Sequence, residues 1–240
     1  MELIYIALLT TVASGVGTLA GFGTSTVLIP IVVFFLPLPQ TLLLVGIIHW
    51  CVNIWRIALF KEGMRRKLII AFGIPGIIAT FAGARIILSV SDILLSHVLG
   101  GFLMAYAAFL LFKPSFKLPQ NNLTAAVGGT LSGLSAGTFG MGGAVRGAFL
   151  GVFDLPKAVY IATTGAISLA IDSTRLTTYI AGGIRLDGLF LWGLLLFIPA
   201  SFLGARIAKM VTGKIPQNKF RMVIASFLLL AGIRLLFFPS

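Results

Sequence analysis

His49, Asn53 and Arg56 stand four and three residues apart, a spacing that sets all three on one face of a helix. Ser168, Asp172 and Arg175 repeat that spacing 119 positions later, and Thr164, with Thr163 beside it, carries the second stripe one turn further. These side chains hydrogen-bond and carry charge within otherwise apolar sequence. The chemistry open to them is holding a polar or charged solute away from bulk water. Hydrolysis has little to work with. His49 and His97 form no His-Glu-x-x-His zinc pair. A Ser168–His49–Asp172 triad can be drawn, but Asp172 shares a helix with Ser168 and is poorly placed to orient His49. Cys51 is the only cysteine, so neither a disulfide within the chain nor a cysteine-based metal site is available. The expectation is no enzyme and no cofactor.

Two further features interrupt the apolar background. Glycines crowd Gly15-Val16-Gly17 through Gly21-Phe22-Gly23-Thr24-Ser25, and again Gly128-Gly129 through Gly133, Gly137, Gly140, Gly142 and Gly143. Glycine costs about 1 kcal/mol against alanine inside a helix, so such density predicts broken or re-entrant helices, with close helix packing through small residues as the competing account. A broken helix turns free N–H groups and a positive dipole end toward any nearby anion. Arg146 follows the second cluster, four residues past Gly142, where the first repeat has Val27.

An ionisable group near the bilayer centre is costly unless it meets a partner or a water-filled cavity, so both stripes should face inward. Alternatives stand beside the binding reading: a self-neutralising i,i+3 pair for Asp172–Arg175, a hydrogen-bonded interior histidine for His49, and snorkelling to the interface for Arg56. Arg85, Arg206 and Arg234 lie near segment ends and read as interface anchors. That leaves Arg56, Arg146 and Arg175 against Asp172, a cavity built for an anion. Gly21, Gly23, Thr24, Ser25, Gly140, Gly142 and Gly143 would supply donors at the glycine turns. Arg175, Arg146 and Arg56 would supply charge, with Asn53, Thr163, Thr164 and Ser168 hydrogen-bonding. Asp172 and His49 are the candidates for proton coupling.

The elements that must position these residues are set by composition. Of the 240 residues, 58% are hydrophobic and only 10% charged, with a mean hydropathy of +1.08. A soluble domain carries about a quarter charged residues; most of this chain must face lipid. Apolar runs fall near 3–20, 24–37, 40–60, 67–90, 93–112, 123–139, 143–154, 156–181, 186–209 and 218–238, predicting an all-α polytopic membrane protein of about eight to ten membrane elements. The runs 24–37 and 143–154 read as hairpins rather than full spans. The net charge of +12 does not indicate nucleic acid, because the cations sit in short gaps without interleaved aromatics. Lys61, Arg65, Arg66 and Lys67 fill one gap, Lys113 and Lys117 another, and Lys209, Lys214, Lys219 and Arg221 a third. Placing these three gaps in the cytoplasm satisfies the positive-inside rule and puts both termini outside. Met1-Glu2 lacks a basic n-region and reads as the start of a membrane segment rather than a cleaved signal.

The second half repeats the first. Phe81-Ala82-Gly83-Ala84-Arg85-Ile86 returns as Phe202-Leu203-Gly204-Ala205-Arg206-Ile207, 121 positions later, and Ser14-Gly15 returns as Ser132-Gly133. Gly21-Phe22-Gly23-Thr24 aligns with Gly140-Met141-Gly142-Gly143 at offset 119. Each unit has five elements, an odd number, so the second is inverted. The units are 1–112 and 123–240, joined by a cytoplasmic linker at 113–122. Such repeats belong to secondary transporters with a midplane site between the halves.

Together these features resemble the TauE/SafE family of sulfite and organosulfonate exporters, also described as toluene-sulfonate-uptake-permease-like. The resemblance rests on Gly15-x5-Gly21-Phe-Gly-Thr-Ser-Thr-x3-Pro30 and on Gly133-x3-Gly137-Thr-Phe-Gly140-Met-Gly-Gly143, with the polar third elements and the Gly-Ala-Arg pair in support. It covers nearly the whole chain and departs where Phe149 or Leu150 stands opposite Pro30. It implies transport of small sulfur-containing anions across the cytoplasmic membrane, coupled to an ion gradient. The coupling ion, proton or sodium, and pairing as a homodimer are left open, as are a passive anion channel built from the same residues and a carrier of another small carboxylate or oxyanion.

Overall fold

The computed structural model describes residues 2–20, 23–112, 118–211 and, within 228–237, all but 231 and 234. Among the described residues there are nine α-helices, further helical residues at 228–237, and no strand. The helices are α1 (Glu2–Ala20), α2 (Ser25–Val32), α3 (Leu38–Leu59), α4 (Arg66–Ile87), α5 (Asp92–Phe112), α6 (Asn122–Phe139), α7 (Gly143–Leu150), α8 (Lys157–Ala181) and α9 (Gly188–Val211). Gly21 lies outside the described residues, as do Lys113, Lys117, Lys214, Lys219, Arg221 and Arg234.

α3, α4 and α9 are each long and apolar enough to cross a membrane. α8 is longer, at 25 residues, but its polar stripe lowers its hydropathy. α2 and α7 have eight residues each. At 1.5 Å per residue each is about 12 Å long, far short of a hydrocarbon core about 30 Å thick. The apolar runs that hold them end differently from their hydropathy: residues 33–35 turn although all three are apolar, and Gly151–Phe153 tightens into a single 3-10 turn.

Glycine decides which helices meet. α4 packs along α6 and α1 along α9. A Cβ on Gly129, Gly133 or Gly137 of α6 would lie 2.1, 2.1 or 2.3 Å from the carbonyl oxygen of Phe72, Gly76 or Thr80 on α4. The backbones therefore touch along a small-xxx-small stripe. Thr80 Oγ1 adds bonds to Gly76 O at 2.6 Å and Gly133 O at 3.0 Å. On the other side, a Cβ on Gly204 would lie 2.1 Å from Thr11 O. The glycine clusters thus divide between the two accounts given for them. Gly129, Gly133 and Gly137 serve packing, whereas Gly23 (φ 89°) and Gly140 (φ 70°) turn the chain between consecutive helices in the left-handed region. α3 and α8 lie against each other, and α3 also meets α9 while α8 meets α4.

Candidate functional site

The two polar stripes face one another. Asn53 Nδ2 donates to Asp172 Oδ2 at 2.9 Å, His49 Nδ1 lies 2.9 Å from the same oxygen, and Arg175 Nη2 donates to Asp172 Oδ1 at 2.8 Å. One carboxylate therefore accepts from an amide and an arginine and has a histidine beside it, His49 Nδ1 lying close but outside hydrogen-bond geometry. The i,i+3 pair Asp172–Arg175 is real, and it does not exhaust the arginine. Nε and Nη1 of Arg175 make no hydrogen bond among the described residues. Nη1 points toward Gly140, whose Cβ would stand only 2.6 Å away.

Arg56 is buried and does not snorkel. Its Nε donates to Thr18 Oγ1 at 3.3 Å, its Nη1 to Asn53 Oδ1 at 3.3 Å, and its Nη2 to Gly17 O. The guanidinium thus ties the end of α1 to α3. Arg146, in the first turn of α7, is only 2% exposed, and its Nε has no protein acceptor among the described residues. It stands within electrostatic range of Asp172 and Arg175.

The glycine turns complete the enclosure. A Cβ on Gly23 would lie 2.8 Å from His49 Nε2 and 3.7 Å from Ser25 Oγ, so the start of α2 abuts the imidazole. His49 Nε2, Thr24 Oγ1 and Ser25 Oγ are buried without a hydrogen-bond partner among the described residues. Across the site, Gly140 N–H closes α6 on Ala136 O at 2.9 Å, and Ser132 Oγ fixes Gly142 O at 2.8 Å. Gly143 opens α7 and is buried.

The hydroxyls on α8 are differently disposed. Ser168 Oγ donates to Thr164 O at 2.7 Å and Thr164 Oγ1 to Ile161 O at 3.0 Å, so both protons are spent on their own helix. Thr163 Oγ1 accepts from the Arg65 N–H at 3.1 Å, at the foot of α4. Arg85 and Arg206 are exposed, Arg85 lying over the Phe81 ring at 4.8 Å.

Several residues of this centre escaped the sequence reading. Thr18 and Gly17 accept from Arg56, and Tyr179 donates to Gly137 O at 2.5 Å. Gly46 and Gly165 seat the arginine-bearing segments. A Cβ on Gly46 would lie 3.2 Å from Arg175 Nη2 and 2.8 Å from Leu176; on Gly165, 3.2 Å from Arg56 Cβ and 3.4 Å from Ile57. Gly46 and Gly165 are 119 apart, as are Arg56 and Arg175 and Ile57 and Leu176, so extending the stripe offset along both helices would have found them.

Among the described residues, a helical fold with three apolar helices of membrane-crossing length, around a buried centre richer in cations than anions, is that of a multi-pass membrane protein. The chain matches the family described as Sulfite exporter TauE/SafE over residues 6–235 and belongs to that family of membrane transporters. No curated protein and no solved structure matches it.

Proposed function

We propose that the chain is a secondary active transporter of sulfite or a small organosulfonate, binding the anion near the membrane midplane between two inverted repeats, 1–112 and 123–240. The observation that carries this reading is the charge imbalance at the centre. Arg56, Arg146 and Arg175 are all at most 2% exposed, against one carboxylate, Asp172, already shared by three partners. Uncompensated buried charge is expensive, and an oxyanion would neutralise it while accepting from the free donors of Arg175 and Arg146. The starts of α2 and α7 add N–H groups to the same place. Thr24, Ser25 and His49 Nε2 line the α2 side; Gly140, Gly142 and Gly143 line the α7 side. Arg56 contributes charge from behind Asn53. Ser168 and Thr164 would have to break helix bonds to donate, and Thr163 is engaged at α4, so these three take no direct part.

Support for the inverted arrangement is the reciprocity of contacts. α1 meets α9 as α6 meets α4, and Gly46 receives Arg175 and Leu176 as Gly165 receives Arg56 and Ile57. The basic loops 61–67, 113–117 and 209–221 then face the cytoplasm with both termini outside. His49, beside Asp172 on one nitrogen and facing the α2 turn with the other, is the proton-coupling candidate.

The test is thermal unfolding of the purified protein with sulfite, thiosulfate, sulfoacetate, taurine, sulfate, phosphate and chloride. A ligand of the folded state stabilises by about 2.7 kcal/mol at one hundred times its dissociation constant. Stabilisation by a sulfur oxyanion, absent with phosphate and chloride and lost in Arg175→Ala, is expected. No stabilisation by any anion would overturn the assignment. Saturable counter-transport in vesicles separates a carrier from a channel.

A further inference from the structure

Arg56 and Arg175 occupy equivalent positions, 119 residues apart, yet their hydrogen bonds differ. Arg56 spends its donors on Thr18, Asn53 and Gly17 O, which caps the end of α1. Arg175 bonds Asp172 and lies against the Tyr179 hydroxyl, while its Nε and Nη1 have no acceptor in hydrogen-bond geometry among the described residues.

The difference traces to what else caps the broken helix. α1 ends on Gly17–Ala20, where Gly17 O accepts from Gly23 N–H at 3.3 Å as well as from Arg56, and the position four residues past Arg56 is Phe60, a ring with no donor. α6 ends on the equivalent Ala136–Phe139, and there the residue four past the arginine is Tyr179. Its hydroxyl donates to Gly137 O at 2.5 Å from a fully buried ring. The same ring lies 6.0 Å from the Arg175 guanidinium carbon, within cation–π range. Gly140 N–H and Met141 N–H take Ala136 O and Ser135 O. Ser135 O, Ala136 O and Gly137 O at the end of α6 thus have donors other than an arginine, and Gly137, equivalent to Thr18, offers no side-chain acceptor.

We infer that Tyr179 is a positioning residue: its hydroxyl caps Gly137 O and its ring lies against the Arg175 guanidinium, which keeps that guanidinium off the end of α6 and turned to the anion. This rests on the anion-site reading above. A buried carbonyl left without a donor draws the nearest N–H group. In Tyr179→Phe the Arg175 guanidinium, packed on the same ring, is drawn to Gly137 O, which then competes with the ligand for its donors. Phenylalanine already occupies the equivalent position 60, so the substitution removes the hydroxyl and keeps the ring.

The experiment is calorimetric titration of sulfite into the full chain, with Tyr179→Phe, Arg175→Lys and the double variant. The dissociation constant is read on the folded, monodisperse fraction, so a lower yield does not alter it. Tyr179→Phe should weaken sulfite about tenfold or more. In the Arg175→Lys background, the same change should weaken it less than about threefold, because its route to the ligand is gone. Unaltered affinity in Tyr179→Phe, or the same loss in both backgrounds, would overturn the inference and leave the hydroxyl a purely structural cap. The two readings fail separately. Parental affinity in Arg175→Lys and Arg175→Ala removes the anion site itself, whereas loss in those variants with a fully competent Tyr179→Phe removes only the role of Tyr179.

Discussion

Asn53 Nδ2 and Asp172 Oδ2 are 2.9 Å apart in space and 119 residues apart in sequence, the offset that superimposes the polar stripe of α3 on that of α8. Under the proposed inverted arrangement, two equivalent positions that touch each other would lie on the axis relating their segments, since any displacement from it would double their separation. The reciprocal seats of Arg175 on Gly46 and of Arg56 on Gly165 flank that contact on either side. The pair is also where equivalence ends chemically. An amide stands in one segment and a carboxylate in the other, and the negative charge on the α8 side fixes Arg175 and His49 together.

Replacing Asp172 with asparagine keeps the shape and removes the charge. One of the two carboxylate oxygens would become an NH2 donor, so either Arg175 or Asn53 would lose its acceptor, and Arg175 and His49 would both lose the counter-charge. Breaking a buried pair from one side costs about 3–5 kcal/mol. The expected result for Asp172→Asn is a stability loss of that size in ligand-free unfolding in detergent. Stability equal to the parent would mean that these three contacts are not formed together.

The α4–α6 seam makes a prediction independent of ligand. A methyl group at Gly133 would stand 2.1 Å from Gly76 O, a backbone atom that cannot swing aside. Gly133→Ala should therefore separate the helices and cost at least about 3 kcal/mol, the upper end of core overpacking. Gly101→Ala is the matched control, a helical glycine with nothing within 4 Å of its added Cβ. It should be neutral or slightly stabilising. Equal yields of monodisperse protein and equal melting temperatures for the two would contradict the packing described.

How far these features were legible in the sequence depends on whether a signal was local. The stripes were readable because a spacing of three and four on an apolar helix admits one face only, and Asp172 and Arg175 meet as that spacing requires. The lengths of α2 and α7 were less so, because Val33, Phe34 and Phe35 are as apolar in a turn as in a span. Hydropathy cannot distinguish the two. The division of the glycines was hidden for a related reason: Gly133 and Gly140 look alike in sequence, and only the neighbouring backbone makes one a contact and the other a turn. Least visible was which arginine is spent. That is decided by Thr18 against Gly137 and Phe60 against Tyr179, residues that lie outside the stripes and matter only once the ends of α1 and α6 arrive beside them.

The contrast between Arg56 and Arg175 gives the last prediction. Lysine keeps the charge but cannot reproduce the three separate bonds by which Arg56 joins Thr18, Asn53 and Gly17 O. Each buried acceptor left unpaired costs about 1–3 kcal/mol, so Arg56→Lys should lower the unfolding free energy by at least about 2 kcal/mol. Because those donors never reached the ligand, the sulfite dissociation constant of the folded protein should change less than about threefold. Arg175→Lys should behave in the opposite way. Its bond to Asp172 survives as an ion pair, holding most of the stability, while loss of Nε and Nη1 as planar donors weakens sulfite about tenfold or more. Unfolding and titration on the same two preparations give the four numbers needed. Two variants that lose stability and affinity in the same proportion would show that both arginines do one job, and the division of labour between α3 and α8 would fall.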